Sequence, residues 1–227
     1  MTLLVAPARA RVLPTFGPES VSWRTLAPGK VEVSVDLSNE AARPTTPDRL
    51  RVAAAPLGAF LPSRSVAEIS VTALAPGERR QVSTVVPTER LGLGDMRRLH
   101  SLLAQSSWVG NVDVCFESAP QEAVEVHRAL DLRLEPGRPG IVHFGIPSSR
   151  RSHSFTVETA VSDPDWETEL TLAGLHSFLL VQPPAAPDRR ARVTVLVRRQ
   201  PDGKEVPVEF GFETRSERPL SWWRRLR

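Results

Sequence analysis

The sequence predicts an all-β protein, built as two tandem β-sandwiches joined by a short helix. Three observations carry that expectation. Apolar and polar residues alternate with period two in one run after another, which places them on opposite faces of a strand. Proline is abundant, at 21 residues against 13 glycines, and proline is excluded from helix interiors and favoured in turns. The tetrapeptide Leu-x-Pro-Gly begins at Leu26, Leu74 and Leu134, each time leading toward an alternating or apolar stretch.

ARVLP near the start and ESVSW from Glu19 open the series of expected strands. In the next run Val31, Val33, Val35 and Leu37 share one face, and Glu32, Ser34, Asp36 and Ser38 the other. Asn39 opens a turn-rich stretch through Pro47. LRVAAA from Leu50, VAEISV from Val66 and RRQVSTVV from Arg79 follow, which makes about seven short strands by residue 87, the spacing of a sandwich. The pattern changes at residues 91–107, LGLGDMRRLHSLLAQSS. Asp95 can cap a helix there, and Met96, Leu99, Leu102 and Leu103 then fall on one helical face.

Alternation resumes beyond the expected helix. Val112, Val114 and Phe116 oppose Asp113, Cys115 and Glu117, and Leu130, Leu132 and Leu134 oppose Asp131, Arg133 and Glu135. GIVHFGIP, HSFTVET and ETELTLAG read as further strands. Asp202-Gly203 between RVTVLVRR and VPVEFGFET is a strong hairpin signal. Pro207 predicts that the second of these runs lies at a sheet edge, since proline cannot donate to a ladder. The expected division is a sandwich at 1–90, a helical linker at 91–107, a second sandwich at 108–214 and a basic tail at 215–227.

The repeated tetrapeptide has a local reason. Proline fixes φ at the first central position of a type II turn, and glycine accepts the positive φ needed at the next. The leucine before it can anchor the turn to a core. WRTLAPGKVEVSVDLSNEA and VAEISVTALAPGERRQVSTVV together resemble the bacterial immunoglobulin-like modules of the CARDB type, which run strand, Asn-containing turn, strand, Leu-x-Pro-Gly, strand. The resemblance covers about residues 20–90. It implies immunoglobulin-like sandwiches that act as spacers, scaffolds or protein-binding units, and it brings no catalytic residues.

The chain has 227 residues, 41% apolar and 24% charged, as an ordinary globular protein does. Of 29 basic residues only Lys30 and Lys204 are lysine, a bias that GC-rich bacterial coding produces. A single cysteine, Cys115, excludes an intrachain disulfide and reads as a small apolar strand residue. The N-terminal MTLLVAPARA lacks the apolar length of a signal peptide core, and no window has the run needed for a membrane helix. The expected location is therefore cytoplasmic.

Chemistry-bearing patterns are sparse. The sequence contains no Walker loop, GxGxxG, GxSxG or HExxH. His143 and His153 would meet if GIVHFGIP paired with HSFTVET, while His100, His127 and His176 are scattered. SDPDWETE offers Asp163, Asp165, Glu167 and Glu169 but lacks a calcium-loop glycine, so it reads as a solvated turn with Trp166 folded inward. Ser148 and Ser149 lie near His153 without the relay that a hydrolase needs. No catalytic residue, cofactor or metal is implied.

The strongest charge feature is the end of the chain, RSERPLSWWRRLR. From Arg215 to Arg227 it carries five arginines and one glutamate, or +4, while the whole chain is +3. The remainder is thus near neutral, which argues against nucleic acid. Trp222, Trp223, Arg224, Arg225 and Arg227 are the candidate partner contacts, since tryptophan and arginine dominate interface energies. The tail can instead pack on the body, or touch a membrane surface weakly. The expected function is a non-catalytic scaffold or adaptor that binds another protein through this tail and through edge strands. The alternatives are a structural subunit or spacer of a surface or secreted assembly, and a β-sandwich hydrolase.

Overall fold

The alternating run Lys30–Ser38 forms the middle strand of a three-stranded sheet, with Val31, Val33, Val35 and Leu37 buried on its inner face. The computed structural model describes residues 11–27, 29–87, 110–147 and 154–215. Over these residues the chain is all-β, and its only helical pieces are three-residue 3-10 turns. The first small sheet contains β1 (Val21–Ala27), β2 (Lys30–Ser38) and β5 (Arg79–Pro87), in the order β1-β2-β5. The second contains β8 (Gly140–Phe144), β10 (Glu167–Thr171) and β11 (Ser177–Gln182), in the order β10-β11-β8.

Between them runs a seven-stranded sheet made of β3 (Asp48–Ala55), β4 (Arg64–Val71), β6 (Gly110–Phe116), β7 (Val124–Leu134), β9 (Ser154–Val161), β12 (Arg190–Gln200) and β13 (Glu205–Thr214). Its order is β4-β3-β6-β7-β13-β12-β9. β7 is the join. Its first half pairs with β6, from Val124↔Val114 to Arg128↔Gly110, and its second half runs parallel to β13, from Arg128↔Glu209 to Leu134↔Thr214.

Two hydrophobic cores result, one under each small sheet. Val126 of β7 is buried in the first core and Ala129 in the second. Three residues apart along a strand, these side chains point to opposite faces. The two small sheets therefore cover opposite faces of the shared sheet, and among the described residues each leaves uncovered, on its own face, the half that the other covers on the opposite face. β6 packs its Val112, Val114 and Phe116 into the first core, although the expected boundary at 91–107 grouped it with the second half. The expected linking helix itself lies outside the described residues.

The Leu-x-Pro-Gly turns divide into two kinds. Gly29, Gly77 and Gly137 all have positive φ, at 81°, 74° and 71°, which accounts for the glycine in each copy. The second copy carries the chain from β4 across to β5, and the third from β7 across to β8. Each of these corners closes with the expected bond, from Glu78 N–H to Ala75 O at 3.0 Å and from Arg138 N–H to Glu135 O at 3.1 Å. Each also rests on the end of the middle strand of a small sheet, with Gly77 N–H donating to Asn39 O and Gly137 N–H to Pro184 O, both at 2.9 Å. Leu74 and Leu134 are buried at these corners. The first copy only joins β1 to β2 within one sheet, and its Leu26 is exposed. The leucine anchors the turn only where the chain must change layers.

Other expectations are corrected. Residues 11–14 form no strand, and an isolated Thr15↔Ser38 bridge replaces it, so the described chain to residue 87 holds five strands. Pro207 lies in an interior strand, but β13 pairs with β7 only from Glu209 onward, so Pro207 has a strand partner on one side alone. A bulge in β7 between Ala129 and Leu132 breaks the expected Leu130, Leu132, Leu134 face. Ala129, Leu132 and Leu134 are buried instead, and Leu130 is displaced toward the opposite side. β8 pairs with β11 and β9 with β12, so the pairing of GIVHFGIP with HSFTVET under which His143 and His153 would meet does not form.

Candidate functional site

The inner faces of the two small sheets do the same job, but their outer faces differ. On the middle strand of the first sheet the residues that alternate with the buried valines are polar and bond to their neighbours, although Val85 on β5 and Leu26 on β1 are 49 and 46% exposed. Arg24 Nε donates to Glu32 Oε2 at 2.6 Å, Gln81 Nε2 to Asp36 Oδ1 at 2.9 Å, and Ser83 Oγ to Glu32 Oε1 at 3.3 Å.

The second sheet carries apolar side chains on part of its outer face as well as inside. In β8, Val142 and Phe144 are buried, which turns Ile141 and His143 outward. In β11, Leu179 and Val181 are buried, which turns Phe178 and Leu180 outward. The register sets Ile141 opposite Leu180 and His143 opposite Phe178, with the His143 and Phe178 ring centroids 5.8 Å apart. The loop from β10 to β11 adds Leu172 and Leu175. Ile141, Leu172 and Leu175 are 46, 52 and 56% exposed. Exposed apolar side chains set side by side, as Ile141 and Leu180 are, mark interaction sites. Glu167 and Glu169 on β10 form its acidic border. Burial, then nearby His176, holds His143 below the ordinary histidine value, so the imidazole is a neutral member of the face at physiological pH.

A polar cluster at the join has a different character. Asn111 on β6 donates its amide N–H to Gly58 O at 2.9 Å and accepts from Gly58 N–H at 3.3 Å. His127 Nδ1 lies 2.8 Å from the same carbonyl, and its Nε2 lies 3.3 Å from Glu125. Hydrogen bonding to His127, then to Lys204, brings the Glu125 carboxyl down to about 2. Burial raises Asp113, against a hydrogen bond from Ser63. These groups bind backbone: the segment around Gly58 bridges to Gly145 and sends Leu57 and Ala59 into the second core. Gly58 has φ +153°, and a Cβ there would lie 2.0 Å from Gly145 O, so only glycine fits. The cluster is a clamp between the two halves.

Trp222, Trp223, Arg224, Arg225 and Arg227 lie outside the described residues, as do His100, Ser148, Ser149 and His153. Trp166 folds into the second core as expected. Asp163 and Asp165 converge on the Arg189 guanidinium, at 2.6 and 3.0 Å, while Glu167 and Glu169 stand apart on β10. Among the described residues no group of three or more His, Cys, Asp or Glu is placed to hold a metal ion. Cys115 is half-buried on β6, and burial pushes its thiol up. The outward apolar face was not expected from the sequence, yet it had a signal. Phe178-Leu179-Leu180-Val181 is a continuous apolar run, and in an antiparallel sheet that means both faces are apolar. No protein-family model and no curated protein matches the chain.

Proposed function

We propose that this chain is a non-catalytic scaffold or adaptor module that docks another protein on the outward face of β8, β11 and β10. The observation that carries the reading is the contrast between the two small sheets. One outer face is largely polar and internally paired, with Leu26 and Val85 its exposed apolar residues, while the other sets Ile141 beside the half-buried Phe178 and Leu180, with Leu172 and Leu175 exposed in the adjoining loop. The acidic border at Glu167 and Glu169 favours a partner that brings basic residues around an apolar anchor. The resemblance to CARDB-type immunoglobulin-like modules, with their scaffold and binding roles, supports the same reading. The Arg/Trp tail, with Trp222, Trp223, Arg224, Arg225 and Arg227, is proposed as a further contact, and the cytoplasm as the location.

The test compares affinity capture by the full chain, by Ile141→Ser/Leu175→Ser and by a form lacking 216–227. A captured protein is then purified and titrated against all three. The face reading expects the double variant to lose about tenfold in Kd or more. Equal binding by the double variant and the wild type overturns it. Lost binding only on removal of the tail moves the contact to the tail.

A further inference from the structure

We infer that the half of the large sheet behind the second core, which no described element covers, is a binding groove for an acidic polypeptide segment in extended conformation. The groove lies on the far side of the second sandwich from the apolar face, and it stands or falls independently of that face. On β12, Ala191, Val193 and Val195 are buried, so Arg190 and Arg192 point the other way. On β13, Phe210 and Phe212 are buried, so Glu209, Gly211 and Glu213 share the arginines' side. The two strands pair with Arg192 opposite Gly211 and Arg190 opposite Glu213. Gly211 has no side chain to fill the space beside Arg192. The bulge in β7 places Leu130 on the groove's lining, and Ser162 after β9 closes one side. The groove measures about 370 Å³.

Its charge is net positive. Glu213 is the organiser. Arg133 Nε and Arg215 Nε approach its Oε1 at 3.1 and 3.0 Å, and Arg190 reaches its Oε2 at 3.9 Å. One carboxylate thus holds three guanidinium groups, and Arg190 remains 81% exposed. Arg192 is exposed and pairs with no carboxylate among the described residues. Arg128, behind it on β7, stacks 4.8 Å over Trp23 and donates to the Val21 carbonyl. Its Nε is buried without a hydrogen-bond partner in the described structure. Around the groove five arginines thus meet two carboxylates, Glu209 and Glu213, while Glu158 and the Arg198–Glu205 pair lie further along the same face.

The occupant follows from geometry. A guanidinium presents a planar fork of N–H donors that matches a carboxylate, and its charge does not titrate. Arg190 and Arg192 are two positions apart on one strand, about 6.7 Å. That is also the spacing of alternate side chains in an extended peptide, so glutamates or aspartates at every second position meet them in register. Leu130 and the Gly211 floor receive the peptide's backbone and aliphatic stems. Glu213 holds its arginines in place beforehand, which reduces the ordering cost of binding. The near-neutral charge of residues 1–214 hid this surface, because the arginines are concentrated by topology and not by sequence.

The test is fluorescence anisotropy on the full chain. The probe is a labelled peptide of about ten residues with Glu at every second position, and the control has Gln in place of each Glu. Saturable binding of the Glu peptide alone is expected, weakening as salt rises from about 50 to about 300 mM. Arg190→Gln/Arg192→Gln should weaken it by about tenfold or more, while Ile141→Ser/Leu175→Ser leaves it unchanged. If the arginine double variant fails to fold by circular dichroism, Arg192→Gln alone serves, since its side chain is exposed and unpaired. Equal binding of the two peptides, or binding indifferent to the arginine changes, overturns the inference. So does complete displacement by inorganic phosphate at concentrations comparable to the peptide, which marks a simple anion site, or tighter binding of a single-stranded oligonucleotide.

Discussion

The two small sheets carry the same inner load with different materials, and their outer faces part company. Beneath β1, β2 and β5 the core is mainly valine, leucine and alanine, with Phe116 its buried aromatic residue. Beneath β8, β10 and β11 it contains Phe144, Trp166, Phe210 and Phe212, with Phe210 and Phe212 stacked at 6.3 Å. Outside, the first sheet is laced by ion pairs and hydrogen bonds around Leu26 and Val85, while the second sets the exposed Ile141 beside Leu180. A strand interior must be apolar on the side it buries, and nothing in stability requires the same on the other. The second outer face is therefore the one on which the proposed docking rests.

The comparison can be broken most sharply at the aromatic core. Phe210→Ala should cost about 3–5 kcal/mol, read as a lower denaturation midpoint with unchanged m. A valine in the first core, Val33→Ala, should cost less, because it removes fewer buried atoms. If the order reverses, the larger payload of the second core is wrong.

Next in size is the clamp. Gly58→Ala combines a φ of +153° with a Cβ that would meet Gly145 O at 2.0 Å, and about 3 kcal/mol or more is expected in thermal or chemical unfolding. Gly77→Ala shares the positive φ but has open space around its Cβ, so about 1 kcal/mol is expected. Equal losses at the two sites would show that space is irrelevant and backbone conformation the whole effect. Asn39→Ala should fall between them, at about 2 kcal/mol. Its side chain donates to Arg43 O and Leu74 O and accepts from Ala41 N–H, so its removal strands buried backbone groups.

A pH titration sharpens the comparison at the join. Glu125 in the folded protein is lowered to about 2. A depressed carboxyl stabilises the fold above its unfolded value, about 4.3, and that contribution disappears as pH falls toward 2. Glu125→Gln should therefore flatten the acid limb of the stability curve in that window. Asp113, raised by burial, acts with the opposite sign: its cost at neutral pH is relieved as pH falls, so Asp113→Asn should steepen the limb. The smallest effect is expected on the apolar face. Ile141→Ser should change stability by less than about 0.5–1 kcal/mol, as for an exposed position, while it lowers partner binding.

Much of the fold was legible locally. The period-two run at Val31–Leu37, the Asp202-Gly203 hairpin and the three positive-φ glycines needed only neighbouring residues to specify them. The failures share a cause. Leu130 left its expected face because one extra residue in β7 inverts the alternation, and no residue in that stretch announces a bulge. Pro207 read as an edge because its missing N–H matters only on the side where β7 has yet to pair.

By itself, then, the sequence determined strand identity, turn conformation and which residues of most strands face inward, since these depend on chirality, φ preferences and the two-residue repeat. Which strands become neighbours was decided only in three dimensions. Pairing is made of backbone hydrogen bonds, and every strand offers the same ones. That choice put β7 in both halves and the small sheets on opposite faces, and it gathered arginines from β7, β12 and the end of β13 around Glu213. Both proposed surfaces are products of that assembly, in which residues from separate strands come to share one face.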